Sequence, residues 1–310
     1  MAVPAARVKP IKVSLGVAAH NEAANIERLL QALTGQETAR VEIDEILVIS
    51  SGSTDGTDDI VRSWERRDPR IRLLRQERRE GKASAVNLFL HEARNDILVL
   101  ESADTLPLAD TIERLVVPLA DDRVGMTGAH PVPLNPRTTF LGGVVHLMWG
   151  LHHLVALEAP KLGEMVAFKK MVTHIPRDSA VDEASLEAAF RQEGLELVYV
   201  PEAIVYNRGP ENLKDFLVQR RRIQAGHLWL EANCGYKVST TRAMRILRHL
   251  MTLTPRSAWG LVVAVGAIAL EALGRALGCL DFWVLGKNPF VWKTAPSTKD
   301  LRCQGRIKLI

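Results

Sequence analysis

The chain has 310 residues, 47% of them hydrophobic and 25% charged, with a net charge of +4. That is enough apolar material for a substantial core in one large domain, or in one domain with an appendage, and it excludes a disordered chain. Three widely spaced cysteines, Cys234, Cys279 and Cys303, make neither a disulfide framework nor a zinc pattern and fit a reducing compartment, and no apolar signal core precedes the first charged residues, so secretion is not expected.

Residues 13–18 (VSLGVA) read as a first buried strand. Asn21 and Glu22 can cap the helix that follows, in which Ile26, Leu29, Leu30 and Leu33 recur at helical spacing. Residues 46–49 (ILVI) make a second strand, and 50–57 (SSGSTDGT) a turn that opens a second helix from about Asp58. A short third strand at 71–74 precedes a helix from about Lys82 to Ala93. Residues 97–100 (ILVL) form the next strand, whose continuation Pro107 forbids, and a helix follows near 110–119. Strands alternating with helices at this spacing predict a parallel α/β sheet. The loops at 18–22, 50–57 and 102–107 then converge on one edge, where open sheets bind ligands.

Asp104 sits at that edge. A hard carboxylate oxygen there suits Mg²⁺ or Mn²⁺ holding a diphosphate; the competing reading is a solvated turn aspartate ahead of a proline.

Charge is unevenly spread. Residues 211–256 carry nine Lys/Arg against three acids, a local +6 that leaves the remainder near −2. A basic segment beside an apolar one points to a phosphate-rich partner, a nucleotide or an anionic membrane surface. Residues 241–254 read as an amphipathic helix, with Arg242, Arg245 and Arg248 at every third position and Met244, Ile246, Leu247, Leu250 and Met251 apolar. Residues 258–270 are uninterrupted apolar or small sequence, Glu271 and Arg275 stand at a pairing distance of four, and 276–285 is again mostly apolar. A clean span needs ~20 apolar residues, so a membrane-embedded or interfacial helix through 258–285 is expected in preference to a simple crossing; a buried helical hairpin or a dimer interface is the alternative. His152 and His153, neighbours in an apolar segment, point apart on a helix and make a poor metal pair; they read as polar tips lining a groove or interface, or as satisfied structural histidines.

Five ordered segments carry a family resemblance. They are residues 13–22 (VSLGVAAHNE), 46–57 (ILVISSGSTDGT), 81–87 (GKASAVN), 99–107 (VLESADTLP) and 219–223 (QRRRI). Over roughly residues 11–226 the chain resembles a family 2 glycosyltransferase of the GT-A fold. The resemblance implies an α/β, Rossmann-like, mostly parallel sheet over 11–210, and leaves 211–310 as a C-terminal helical region associated with a membrane. It implies sugar transfer from a nucleotide-sugar donor with inversion, assisted by Mg²⁺ or Mn²⁺. A glycan or lipid-linked acceptor, a place at the cytoplasmic face of a membrane and no nucleic-acid partner are expected, the membrane from the basic and apolar C-terminal region.

Carried over by position, Asp104 is the metal ligand. Ala19, Glu22, Ser50, Ser51, Lys82 and Ser102 join it in the donor site. Glu183 is the general base, with Asp182 its neighbour. Gly163, Glu164, Gln219 and Arg222 serve the acceptor or the diphosphate. Read by themselves, Asp182 and Glu183 are also ordinary acids at a helix N-terminus, Glu164 a surface acid, Lys82 an exposed lysine, and Arg220 and Arg221 either phosphate ligands or solvated charges. The chain departs from the family where Ser50 and Ser51 replace paired acids, Ser102 the first acid of the metal motif, and Ile223 a tryptophan. Glu101 points to the face opposite Ser102 and is not counted as a ligand. These departures favour a rival reading, a non-catalytic nucleotide-sugar-binding partner. A sugar-phosphate nucleotidyltransferase is disfavoured, because residues 18–22 (AAHNE) are not a glycine-rich phosphate loop.

Overall fold

The computed structural model describes residues 9–238, 243–254, 257–291, 296–299 and 301. Thr241, Arg242, Arg256 and Cys303, and the side chains of Met244 and Arg245, lie outside the described residues.

Eight strands form one sheet: β1 (Ile11–Ala19), β2 (Val41–Ser51), β3 (Ile71–Gln76), β4 (Ile97–Ser102), β5 (Thr105–Pro107), β6 (Val124–Pro133), β7 (Met165–Lys169) and β8 (Glu196–Asn207), in the order β3-β2-β1-β4-β7-β6-β8-β5. The half built from β1 to β4 is parallel, as the alternation of strands and helices predicts. The other half is mixed. β7 runs antiparallel to both β4 and β6, and β5 antiparallel to β8. Pro107 is therefore the last residue of a short strand instead of a simple stop. β5 is an edge strand, the place where a residue without a backbone N–H is tolerated.

The helices of this half are α1 (Ile26–Thr34), α2 (Thr57–Glu65), α3 (Lys82–Glu92), α4 (Thr111–Val116) and α6 (Asp182–Gln192). Their apolar stripes cover both faces of the sheet. Leu29, Leu30 and Leu33 of α1 join Val13, Leu15 and Ile46 in one cluster, while Phe89 of α3 and Phe190 of α6 join Leu47, Leu98 and Phe168 in the other. Gly16 is required by this packing, since a Cβ there would meet the Phe89 ring at 2.6 Å. Asn21 and Glu22 do not cap α1, whose N-cap position is Asn25. Asn21 instead adopts a left-handed φ of 54° and accepts a hydrogen bond from Thr54 N (2.8 Å), tying the first loop to the 50–57 turn.

A second layer consists of α5 (Phe140–Glu158), α7 (Leu213–Cys234), α8 (Ala243–Leu253) and α9 (Ala258–Cys279), the last continued by a π-helical turn at Leu280–Val284. The two apolar stretches read from the sequence are thus one continuous helix. Leu141, Val144, Phe216, Leu250, Val263 and Ala267 make the core of this layer. Gly274 and Gly278 let α9 approach α7 closely: a Cβ on Gly274 would meet Arg220 Cβ at 2.6 Å, and one on Gly278 the Arg221 carbonyl at 2.7 Å. Glu271 pairs with Arg275 (2.7 Å), as the spacing predicts, and also with Arg220 (3.1 Å), while Arg221 pairs with Asp281. Arg220 and Arg221 therefore tie helices together, and Arg220 also lines the cavity described below. α5 and residues 258–284 are both long and apolar enough to cross a membrane by length and composition.

Candidate functional site

The parallel half of the sheet brings the carboxyl ends of β1, β2 and β4 to one edge, because Ala19 pairs with Ser50 and Ala18 with Ser102 in register. The loops beyond these ends are knitted together by short polar bonds. Asn21 N donates to Ser53 Oγ (3.1 Å), Glu22 N to Thr57 Oγ1 (2.8 Å), and Ala103 N to the Ala18 carbonyl (3.1 Å). Between this edge and the second helical layer lies a cavity of about 520 Å³.

Most residues singled out in the sequence line it. Ala19, Glu22, Ser51, Lys82, Ser102 and Asp104 do so from the strand ends and α3, Gly163 and Glu164 from just before β7, Glu183 from α6, and Gln219 and Arg222 from α7. Two do not. Ser50 is buried, and its hydroxyl is taken up by Asp58 Oδ1 (2.5 Å) on α2 and by Ser53 (2.9 Å), behind the wall. Asp182 is also buried behind it, 3% exposed, with a carboxylate oxygen 2.9 Å from Lys82 Nζ. The side chain of Glu183 reaches the same ammonium at 2.7 Å but faces the cavity.

Lys82 is thus not an exposed lysine. It is the first residue of α3, presented by Gly81 at a φ of 94°, and its two partners begin α6. Burial works against the charge of Glu183, but the nearby ammonium prevails and holds its carboxyl below the ordinary range. Lys82 itself is held protonated against burial by the two acids. A carboxylate kept ionised and aimed into a cavity can accept a proton from a bound hydroxyl group.

Around Asp104 the opposite condition holds. The carboxyl of Glu22 is pushed up to about 7 by burial and then by the Asp104 charge. Glu164 is pushed up to about 7 by the same two causes, and Glu101 to about 8, chiefly by burial. Glu101 is fully buried and accepts a hydrogen bond from Thr105 Oγ1 (2.7 Å), away from the cavity as expected. Glu164 is not a surface acid: it lines the cavity with a left-handed φ of 61°. Among the described residues, Asn21 and Glu164 are the only non-glycine residues with positive φ; Glu164 lines the cavity and Asn21 stands between the lining residues His20 and Glu22, at a place where backbone strain is commonly held.

The excess of mutually repelling carboxylates suits a divalent cation. Among the described residues no three acidic, histidine or cysteine side chains gather closely enough to hold one by themselves. A site built from Asp104 and the oxygens of a diphosphate fits Mg²⁺ or Mn²⁺, which commonly take one or two carboxylates and complete their shell with phosphate and water.

The sequence reading missed several lining residues: His20, Arg79, Lys161, His227 and Lys299. His20 adjoins the Asn21-Glu22 motif and could have been found from it. Its Nδ1 lies 2.7 Å from the Ser51 carbonyl, and its pKa is lowered mainly by burial. His227 is likewise held neutral by burial and by the cations around it, Lys161 first among them. Arg79 is brought in by Gly52, whose φ of 63° turns the 50–57 loop so close that a Cβ would meet Arg79 N at 2.6 Å. His152 lines the cavity, whereas His153 is a satisfied structural histidine, 2.9 Å from Tyr199 OH and stacked on His130.

Comparison with known proteins agrees with this arrangement. Residues 14–148 match the family "Glycosyl transferase family 2". Glycosyltransferase AglE of Haloferax volcanii is 29% identical over 118 residues, which is 38% of this chain and 38% of that protein. Probable glycosyltransferase YdaM of Bacillus subtilis is 22% identical over 235 residues, 71% of this chain and 56% of that one. The chain thus spans between 38% and 56% of the length of these curated relatives. Among solved structures, mannosyltransferase PcManGT from Pyrobaculum calidifontis, in complex with GDP-Man and Mn²⁺, superimposes with a TM-score of 0.58 at 25% identity, covering 91% of this chain and 82% of that one. Glucosyl-3-phosphoglycerate synthase from Mycobacterium tuberculosis shares the fold at a TM-score of 0.53 and 21% identity, over 74% and 82% of the two chains. With its parallel strand ends, its acidic turn after β4 and its covering helices, the chain is built on the GT-A fold and is similar to glycosyl transferase family 2 over residues 14–148.

Proposed function

We propose that the protein transfers a sugar, with inversion, from a nucleotide-sugar donor to a hydroxyl of a glycan or lipid-linked acceptor at a membrane surface. The observation that carries this reading is the presence of two kinds of carboxylate in one cavity: Asp104 among repelling acids, and Glu183 held ionised by Lys82.

The donor nucleotide lies along the ends of β1 and β2, against Ala19, His20 and Ser51, with its diphosphate toward Asp104. A divalent cation bound there supplies charge neutralisation for the departing diphosphate. Glu183 accepts the proton of the acceptor hydroxyl on the face opposite the leaving group, which is the geometry inversion demands. Lys82 fixes the position of that carboxylate. Arg222 and Gln219, one turn apart on α7, lie on the acceptor side with Gly163 and Glu164.

The cavity continues into the helical layer, where Met148, Leu151, Val155, Ile246, Leu250 and Ile268 line it. That apolar extension suits a lipid-linked acceptor. The outer face supports membrane attachment: Leu261, Val265, Trp283 and Val284, and Met251 on α8, are more than half exposed. Dolichyl-phosphate beta-glucosyltransferase ALG5C of Trichomonas vaginalis, 27% identical over 149 residues, is a relative whose name carries a lipid acceptor.

A nucleotide-sugar-binding partner without activity is the second reading, favoured by serine at positions 50, 51 and 102. The built pair of Lys82 and Glu183 opposes it, because a scaffold has no use for a buried base.

The test is a nucleotide-sugar panel read by thermal shift in detergent, with Mn²⁺ or with chelator, on the wild type and Asp104→Ala. A donor that stabilises only with both the metal and Asp104 is the expected result. Stabilisation that survives unchanged in Asp104→Ala would remove the metal assignment, and no stabilisation by any donor would shift weight to the second reading.

A further inference from the structure

After α9 the chain does not leave the molecule but returns across the mouth of the cavity. Asn288 Nδ2 donates to the Asp178 carbonyl (2.7 Å), and Phe290 lies over Gly81, where a Cβ would meet its carbonyl at 3.0 Å. Further on, Ser297 donates through both N (3.1 Å) and Oγ (2.6 Å) to Asp215 Oδ2 at the start of α7. Asn25 then takes hold of the backbone on both sides of its side chain, donating to the Lys299 carbonyl (2.6 Å) and accepting from Leu301 N (3.1 Å). Leu301 is 3% exposed. These bonds fix the course of the backbone at residue 299 without help from its side chain.

The side chain is thereby delivered to the donor edge. Lys299 Nζ donates to the His20 carbonyl (3.0 Å) and to Glu22, and both His20 and Lys299 line the cavity. The loop that carries Glu22 adjoins the turn that carries Asp104, since Ala103 N donates to the Ala18 carbonyl (3.1 Å), so the ammonium stands at the same end of the crevice as Asp104. The charge balance there calls for it. A nucleoside diphosphate brings at least two negative charges into a wall already holding Asp104, Glu22 and Glu164, and one divalent ion on one aspartate leaves an excess. Lys82, which lines the cavity from α3, is committed to Asp182 and Glu183.

We infer that Lys299, carried in by the C-terminal return of the chain, binds the diphosphate of the donor. It is a donor ligand supplied 195 positions beyond Asp104 and outside every segment that carries the family resemblance. The ammonium exchanges part of its contact with Glu22 for a phosphate oxygen when the donor enters. The inference rests on the donor site proposed above.

The experiment measures binding of GDP and UDP, and of guanosine and uridine, by calorimetry with Mn²⁺ on the full chain in detergent. The proteins are wild type, Lys299→Ala, Lys299→Arg, Glu22→Gln and, as a control, Asp104→Ala. A charged hydrogen bond to phosphate corresponds to about tenfold to hundredfold in affinity. Lys299→Ala is expected to lose that much for whichever diphosphate the wild type binds, with the matching nucleoside unaffected and with Lys299→Arg restoring most of the loss. If Lys299 only braces the loop through Glu22, Glu22→Gln reproduces the Lys299→Ala loss and nucleoside binding falls too, which overturns the inference. Diphosphate binding that depends on Asp104 but is unchanged in Lys299→Ala overturns it while leaving the donor site intact. A wild type that binds neither diphosphate overturns both.

Discussion

The sheet half and the helical half of this molecule bury charge in different ways. At the sheet edge, carboxylates are crowded, and Glu22, Glu101 and Glu164 are all raised by burial and by one another or by Asp104, although Lys299 reaches Glu22 and Thr105 reaches Glu101. In the helical layer buried acids are ion-paired, with Glu271 between Arg220 and Arg275 and Asp281 on Arg221. Ion-paired charges fix helices, whereas an excess of one sign suits a ligand of the other. The contrast separates what holds the cavity open from what works inside it, and Lys82 stands on the border, a matched cation whose partner faces the cavity.

The sharpest break of this contrast is Glu183→Gln. It keeps the shape and removes only the proton acceptor, so turnover should fall by about 10²–10⁴-fold. Calorimetry should find nucleotide binding unchanged, and retained turnover would move the base elsewhere. Lys82→Met leaves Asp182 and Glu183 adjacent and unpaired. Breaking a buried pair from one side costs about 3–5 kcal/mol, which chemical denaturation would read. The same change frees the Glu183 carboxyl to rise, so the acid limb of the rate profile should move to higher pH. An unmoved limb would mean that Lys82 does not set the base.

A smaller effect is expected in the helical layer. Gly278→Val places atoms where Gln224 Cβ (2.6 Å) and the Arg221 carbonyl (2.7 Å) already lie. Overpacking of this kind costs about 1–3 kcal/mol, and it should leave Mn²⁺-dependent nucleotide binding within about twofold if the two halves are as separate as the charges imply.

The smallest effect concerns pH. Glu22 and Glu164 titrate near 7 in the folded protein and near 4.5 in the unfolded chain. The folded state therefore holds extra protons between those values. The stabilisation linked to them is fully present below about pH 4.5 and is lost as pH rises through about 7. A divalent cation replaces those protons, so the rise in Tm on adding Mn²⁺ should be greater at about pH 8 than at about pH 5.5. An equal rise at both would mean that the metal does not meet these carboxylates.

The sheet half was largely legible in the sequence because its signals are local. Apolar runs, the SSGSTDGT turn and the acid after β4 each lie within a few residues of what they position, and a parallel register then aligns them without further information. The misreadings there arose where a distant partner decided the outcome. Ser50 was drawn off by Asp58, Asn21 was taken by Thr54 instead of capping α1, and Pro107 was accommodated by an edge pairing with β8. In the helical half, the i,i+4 pair of Glu271 and Arg275 could be read, but their third partner, Arg220, lies 51 positions from Glu271. Lys299 carried no local signal at all. Its partner is 277 residues away, and neither charge pattern nor periodicity spans such a distance.

The position of α9 has one last consequence. Ile268 is 53% exposed on the outside of the molecule and yet borders the cavity, so one helix meets the surroundings and the ligand at once. If the outer face rests on a bilayer as proposed, the two contacts are thermodynamically linked. Whatever free energy the lipid contributes to seating α9 against α7 is returned to the substrate as affinity, and by reciprocity a bound substrate tightens the hold on the membrane by the same factor. Such an enzyme would be reversibly recruited by its own substrate, adhering where acceptor is plentiful and dispersing where it has been consumed.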